Sequence, residues 1–392
     1  MQSLRRPVTL GFYLIARWQK DNALHLLAVT KNGIPISTHS RRNIFESTDM
    51  NRTRICVIGA GVIGLATAVQ ILDKYGSHVH VTVMSEKFSP NTTSDGSAGF
   101  WEPYLVGDTP KESINKWSKS TYDYLNRIIM SEDADEAGVE TVHAYNFFPR
   151  YTDDPSWKHV TFGFRHATRP ELDVYAPQAK HGWFYSSIMC GCVRYLPWLE
   201  KKIRNRGGVL VKRKVENLSQ LAGHYDIIVN CSGLGSYHLI DDKSMAPIQG
   251  QVMRVTNTTA RLAMLYFTDD CESAHTYIFP WRDICILGGT AVKGNWNDEP
   301  NPKTRNEIMQ RCCKLVPSLK NATVLAEWTG LRPWRSKGVR LERETRYFGA
   351  TKTYIVHNYG HSGGGVTMHW GCAEDATDLV GQCLQDLPKH KL

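Results

Sequence analysis

RICVIGAGVIGLATAVQILDKYGSHVHVTVMSE, residues 54–86, is the stretch whose reading decides the fold. Residues 54–58 form an apolar run and predict a buried strand. Gly59, Gly61 and Gly64 follow in the spacing G-x-G-x-x-G, and residues 65–75 then repeat apolar side chains at helical intervals up to a stop at Gly76. A second apolar run, 79–85, ends at Glu86. This is a β-α-β unit of about 30 residues. In such a unit the first glycine permits the tight turn. The second lets the backbone approach a pyrophosphate, and the third lets helix and strand pack closely. Free N–H groups at the helix start face the phosphates. Glu86, 22 residues after Gly64, suits ribose hydroxyls. The fingerprint alone does not choose between FAD and NAD.

The next loop, NTTSDGSAGFWEPY at residues 91–104, points to FAD. Hydroxyls at Thr92, Thr93 and Ser94 suit phosphate, and Ala98 and Gly99 are small enough for a planar ring to lie against the backbone. Further out, helices are predicted over 111–129, 194–208, 304–319 and 366–387. Residues 140–190 are aromatic and irregular, with strand-like pieces. Strands are predicted over 209–218 and 224–236, then over 249–257, 275–280 and 283–290 for a second sheet, and over 324–334 and 353–359. Glycine-rich turns lie in both the first unit and the last loop, so the nucleotide domain is expected to be discontinuous, with a substrate domain inserted between its parts. The expected cofactor parts are about 53–110, 190–240 and 350–385, and the substrate parts about 111–189 and 241–349.

The chain has 392 residues, 42% hydrophobic and 22% charged, which is ordinary globular composition. Its formal net charge is +9, yet it holds no basic block or zinc-finger spacing, which argues against nucleic acid and agrees with attraction of a small acidic ligand. The ten cysteines include no C-x-x-C pair, so no metal site is expected and buried reduced thiols are. No run of 18 apolar residues exists, so no membrane helix is expected. Residues 1–49 read as an extension outside the fold, with Met50 just before the first strand; two arginines and an apolar run near the start also resemble a weak signal or transit segment.

Seven stretches, in order, resemble the D-amino acid oxidase and D-aspartate oxidase family: VIGAGVIGL, TTSDGSAGFWEPY, RYLPWLEKKIRNRGG, DIIVNCSGLGS, ILGGT, GLRPWRSKGVRLERE and HNYGHSGGGVTMHWG. They run from about residue 54 to 385. The resemblance implies an α/β fold: a FAD-binding Rossmann-like domain of the glutathione-reductase type, with an interleaved α+β substrate domain on a mixed sheet. It implies oxidative deamination of a D-amino acid with O₂ as acceptor, giving 2-oxo acid, ammonia and hydrogen peroxide. The flavin takes the α-hydrogen as hydride, so the protein mainly orients the substrate. Arg332 matches the family's carboxylate-binding arginine, whose guanidinium fork suits a carboxylate. An alternative is a structural ion pair with Glu327. Tyr277 aligns with a tyrosine whose hydroxyl touches the same carboxylate, and Gly363 with a glycine whose carbonyl accepts from the substrate amine. Gly363, Gly364 and Gly365, with Val366 and Thr367 at a helix start, would cap the electron-rich edge of the flavin. Further cofactor contacts are implied at Val62, Ile63, Lys87, Phe100, Val215 and Ser232. Arg335, Arg340, His361, His369 and Trp370 read as structural.

Several stretches sit closer to the D-aspartate branch, and Ser273 stands where neutral-substrate members carry a second tyrosine. The arginine that meets an acidic side chain in that branch falls at Asp269 or Asp270, where the match fails; Arg282, Lys293 and His275 are candidate substitutes, and QGQ at 249–251 replaces the relatives' RGQ. Three readings follow: an oxidase for D-aspartate and D-glutamate, an oxidase for neutral D-amino acids, and a flavin-binding protein without catalysis. The chain ends HKL, which resembles the peroxisomal S-K-L address and implies an import receptor. The cytoplasm, mitochondria and secretion are the alternatives, and monomer and homodimer stay open.

Overall fold

Val62, Leu65, Ala66, Val69 and Leu72 repeat at intervals of three and four, and they bury one face of the helix α1 (Val62–Tyr75). That stripe packs on the sheet begun by β1 (Thr53–Ile58) and continued by β2 (Val79–Ser85), which pair in parallel register from Thr53↔Val79 to Ile58↔Met84. Each large apolar side chain so buried contributes roughly 1.5–3 kcal/mol. The computed structural model describes residues 52–256, 258–268 and 276–388. The extension 1–49, the terminal HKL, and Asp269, Asp270, Ser273 and His275 lie outside the described residues.

The first sheet has six strands. Its order is β14 (Arg340–Phe348), β15 (Thr351–Tyr359), β7 (Ile227–Asn230), β1, β2 and β6 (Val209–Lys212). All neighbours are parallel except β14 and β15, which form an antiparallel pair. The inner strands β1, β2 and β7 and most of β15 are buried, Ile55, Val57, Val81, Val83, Ile227 and Val229 each showing no exposed surface, as a parallel sheet covered by helices requires. The C-terminal helix, Gly365–Gln385, packs against α1.

The second sheet is mixed and has nine strands. Antiparallel pairs join β3 (Val139–Phe148), β4 (Phe162–His166) and β5 (His181–Cys190). Another antiparallel group holds β8 (Met245–Thr256), β9 (Ala263–Tyr266), β10 (Thr276–Trp281), β11 (Ile284–Gly288), β12 (Val292–Lys293) and β13 (Thr323–Arg335). The groups are linked by the parallel pair β3–β9.

Two expected boundaries move. The helix Lys111–Ile129, placed by sequence in the substrate part, packs on the C-terminal helix, and a Cβ at Gly371 would come within 2.5 Å of the Trp117 backbone. Strand β14, also placed there, is the edge of the six-stranded sheet. The helix carries no local sign of a partner more than two hundred residues away, and β14 enters this sheet only through its antiparallel pairing with β15, which itself joins the distant β7. The nine described cysteines are free thiols, eight of them buried. Among the described residues no cluster suits a metal, and no helix is long and apolar enough to cross a membrane.

Candidate active site

A cavity of about 900 Å³ runs from the C-terminal ends of β1 and β2 to the second sheet. It starts at the glycine turn. Gly59 has φ +105°, and a Cβ there would lie 2.4 Å from the Cys231 carbonyl oxygen. Gly61, Val62 and Ile63 line the cavity, and the Val62 N–H donates to Ser94 Oγ at 3.1 Å. Gly64 does not line it: its Cβ would fall 2.0 Å from the Gly59 carbonyl oxygen, so it serves helix–strand packing. Glu86, Lys87 and Val215 line the end beyond β2, where the Arg213 N–H donates to the Ser85 carbonyl at 2.9 Å; Ser232 lines the wall beside β7.

Thr92, Thr93, Ser94, Ala98, Gly99 and Phe100 all line the cavity. The Thr92 hydroxyl is already committed: it donates to Asp95 Oδ2 at 2.7 Å, and the Thr92 N–H donates to the same oxygen at 2.9 Å. The Ser89 hydroxyl donates to Asp95 Oδ1 at 2.6 Å, and Arg254 donates to the Asp95 carbonyl oxygen at 2.5 Å. Asp95 is 1% exposed, so it clamps the loop from inside. Sequence reasoning passed over it because a lone aspartate in a turn reads as a surface residue. Asp95→Ala strands three donors, each worth about 1–3 kcal/mol when unpaired. We expect FAD affinity to fall by roughly tenfold or more, about 1.4 kcal/mol per decade, read from flavin fluorescence released on dilution. Unchanged retention would show that the loop holds its shape without this carboxylate.

The far end is aromatic and polar. Phe100 stacks on Phe279 at 4.4 Å between ring centroids, and Phe279 on Tyr277 at 4.7 Å. The Tyr277 ring lies over Gly288 and Gly289, where any Cβ would clash at 2.1 and 2.6 Å. Arg332, on β13, lies over Gly250 in the same way, at 2.1 Å. Its Nη1 donates to the Thr290 carbonyl at 3.0 Å, and among the described residues it forms no ion pair. The alternative partner Glu327 is taken by Arg305 at 3.0 Å. A half-buried guanidinium therefore faces a cavity with most of its donors unspent. Burial pushes the Tyr277 phenol above its usual pKa while Arg332 pulls it down. Tyr104, on the same cavity wall, is pushed up to about 12 by burial.

Gly363, Gly365 and Val366 line this end; Gly364 and Thr367 do not. A Cβ at Gly364 would meet Val106 at 2.6 Å, and the Thr367 hydroxyl donates to the Glu102 carbonyl at 2.8 Å while accepting from its N–H at 3.1 Å. Those two residues fasten the helix start to the loop. Arg335 pairs with Asp242 at 2.8 Å and Arg340 with Glu342 at 2.7 Å. His369 donates from Nδ1 to the Val366 carbonyl at 2.7 Å, and Trp370 stacks on Tyr124. His361, read as structural, instead lines the cavity, and burial lowers its pKa to about 3, so its ring is neutral. Sequence reasoning also missed Glu102, Tyr104, Phe279 and Trp328; the first two sit in the loop it quoted, and a lone carboxylate among small and aromatic residues was the available signal.

The cavity suits a flavin dinucleotide by size, since ligand pockets run to about 300–1,000 Å³. Trp328 Nε1, His361 Nε2 and Ser362 Oγ on its wall are buried with no hydrogen-bond partner among the described residues, as polar groups awaiting a ligand would be. Residues 54–379 match the DAO family, FAD dependent oxidoreductases. The chain belongs to that family. Human D-aspartate oxidase is 41% identical to it, across 88% of this chain and all of the relative. A D-amino-acid oxidase of Rubrobacter xylanophilus is 35% identical, across 84% of this chain and 97% of the relative. The solved glycine oxidase of Bacillus cereus shares the fold of this FAD dependent oxidoreductase at TM-score 0.65 and 16% identity, over 86% of this chain and 97% of that one. FAD is the cofactor of the family, and Gly59, Gly61 and most of the loop 91–104 line the cavity of matching size.

Proposed function

We propose that this chain oxidises D-amino acids, acidic ones foremost, to the 2-oxo acid with release of ammonia and hydrogen peroxide. The observation that carries this reading is the Arg332 guanidinium, held in a flavin-sized cavity without a carboxylate of its own. An α-carboxylate supplies the missing partner, and a bidentate pair fixes the orientation of the α-carbon. FAD held there would supply a two-electron acceptor that O₂ can reoxidise. The protein's residues position and desolvate: Arg332 and Tyr277 take the carboxylate, while Phe100 and Phe279 exclude water. The Gly363 carbonyl is proposed to accept from the substrate amine, and the N–H groups of 365–367 to face the flavin's negative edge.

Preference for acidic side chains rests on the likeness to the human D-aspartate oxidase and on the net charge of +9. One observation favours neutral substrates instead. Arg282 is engaged with Asp135 at 2.7 Å, Lys293 sits over the Trp334 ring, and neither lines the cavity. Hydrogen peroxide production on D-aspartate, D-glutamate, D-alanine and D-methionine separates the two. We expect kcat/KM for D-aspartate to exceed that for D-alanine by about tenfold or more, or about 1.4 kcal/mol. The reverse order would assign the neutral reading. A yellow protein whose visible absorbance none of the four bleaches would mean a flavoprotein without this catalysis. Peroxisomal location by way of an import receptor is part of the proposal, and a cytosolic distribution of a fluorescent fusion that keeps residues 390–392 free would remove it.

A further inference from the structure

An amino acid in neutral water carries an ammonium group, and nitrogen needs a lone pair before the α-hydrogen can leave with its electrons. Some group must take that proton. Glu102 stands where this is possible. It lines the cavity beside Tyr104, whose phenol senses both Glu102 and Arg332. The Thr367 hydroxyl bonds to both its backbone N–H and its carbonyl, which fixes it against the start of the C-terminal helix, next to Gly363. A Cβ on Gly363 would approach the Tyr104 carbonyl oxygen to 2.9 Å, so these segments touch. The Glu102 carboxyl receives one bond, from Asn146 Nδ2 to Oε1 at 2.8 Å, and among the described residues it has no ion pair. Oε2 is left for the cavity. With the α-carboxylate on Arg332, the ammonium, two bonds away, lies at the same end.

Resting on the oxidase reading above, we infer that Glu102 is the proton acceptor for the substrate ammonium. The step moves one proton: R–NH₃⁺ and the Glu102 carboxylate become R–NH₂ and the Glu102 carboxylic acid. The neutral amine then loses hydride from its α-carbon to the oxidised cofactor and becomes an iminium, and the carboxyl returns its proton to water after the product leaves. Transfer is favoured in a closed site, because it replaces two desolvated charges by two neutral groups. Burial raises the Glu102 pKa to about 7 and the Asn146 bond opposes the rise, so the carboxyl is a poised base near neutrality. The titratable groups facing it are the Tyr104 and Tyr185 phenols, which burial keeps protonated; Arg332 and Tyr277 act in turn on Tyr104. The sign follows: below about 7 the carboxyl is protonated and cannot accept, so substrate oxidation falls on the acid side.

The test is anaerobic rapid-mixing reduction of the holoenzyme by D-aspartate and by D-alanine, from about pH 6 to about pH 10. For the wild type we expect the reduction rate to rise through the Glu102 ionisation and level off. For Glu102→Gln we expect roughly a 100-fold loss near pH 7. That loss should vanish at high pH, where the free amine supplies its own lone pair. Asn146→Leu should move the acid limb of the wild-type curve upward, and it stands as the test if Glu102→Gln does not fold. An infrared carboxylic C=O band that disappears as pH rises through neutrality, and is missing in Glu102→Gln, is the readout independent of turnover. An unchanged pH profile in Glu102→Gln, or a loss equal at every pH, would overturn the proton-acceptor role while leaving the oxidase reading standing. A wild type that no D-amino acid reduces would remove both.

Discussion

Arg332→Ala is expected to yield a yellow protein that oxidises no D-amino acid at a useful rate. Among the described residues the guanidinium forms no ion pair and bonds to the Thr290 carbonyl beside the Tyr277 phenol, so its loss leaves no carboxylate unpaired. The substrate loses two charge-assisted hydrogen bonds, each worth about 1.5–3 kcal/mol. Together these correspond to roughly a hundredfold to ten-thousandfold loss in kcat/KM. FAD should stay bound, because the glycine turn after β1 and the loop 91–104, which line the opposite end of the cavity, are untouched by the change. Arg332→Lys restores the charge without the fork and should recover only part of the loss. The measurement pairs steady-state peroxide release with the flavin absorbance of the purified variants. Near-normal kcat/KM in the alanine variant would remove Arg332 from the site.

The other large effect is expected at the glycine turn. Gly59→Ala places a methyl group 2.4 Å from the Cys231 carbonyl oxygen at a φ of +105°, where side chains rarely sit. The backbone cannot retreat, because the Gly59 N–H donates to the Met84 carbonyl at 2.9 Å and the Cys231 N–H to the Ile58 carbonyl at 2.9 Å. Conformational strain of about 1–3 kcal/mol adds to overpacking of about 1–3 kcal/mol. That is a large share of a typical stability of about 5–15 kcal/mol. We expect the variant to melt several degrees lower and to emerge from gel filtration without flavin. Gly163→Ala is the control: φ there is +67°, yet nothing lies within 4 Å of the added Cβ, so only the strain should appear. Equal effects at the two positions would mean that the close approach at Cys231 plays no part.

Much of the cofactor cradle was legible in residues 54–104, because each of its requirements is local. A tight turn, a close backbone approach and a helix start are demanded of neighbours in the chain, and glycine spacing records them. The C-terminal helix and its glycine run were readable for the same reason. The second sheet was readable only as separate strands, since its order depends on pairings such as β3 with β9 that join distant segments.

Arg332 shows where the two kinds of information part. Its position within GLRPWR marked it for a carboxylate, but Glu327, five residues earlier, was an equally good partner on paper. The fold decides between them by giving Glu327 to Arg305 and laying the guanidinium over Gly250, inside the cavity. Glu102 goes further. Nothing in its neighbours announces a carboxyl titrating near 7; that value comes from burial together with a single bond from Asn146, 44 residues away on β3. What the sequence alone determined is therefore the nucleotide fold and the class of cofactor, because backbone geometry is written in short-range spacing. The charge and freedom of each group in the site were decided by the tertiary structure, because solvation and pairing depend on what distant segments bring alongside.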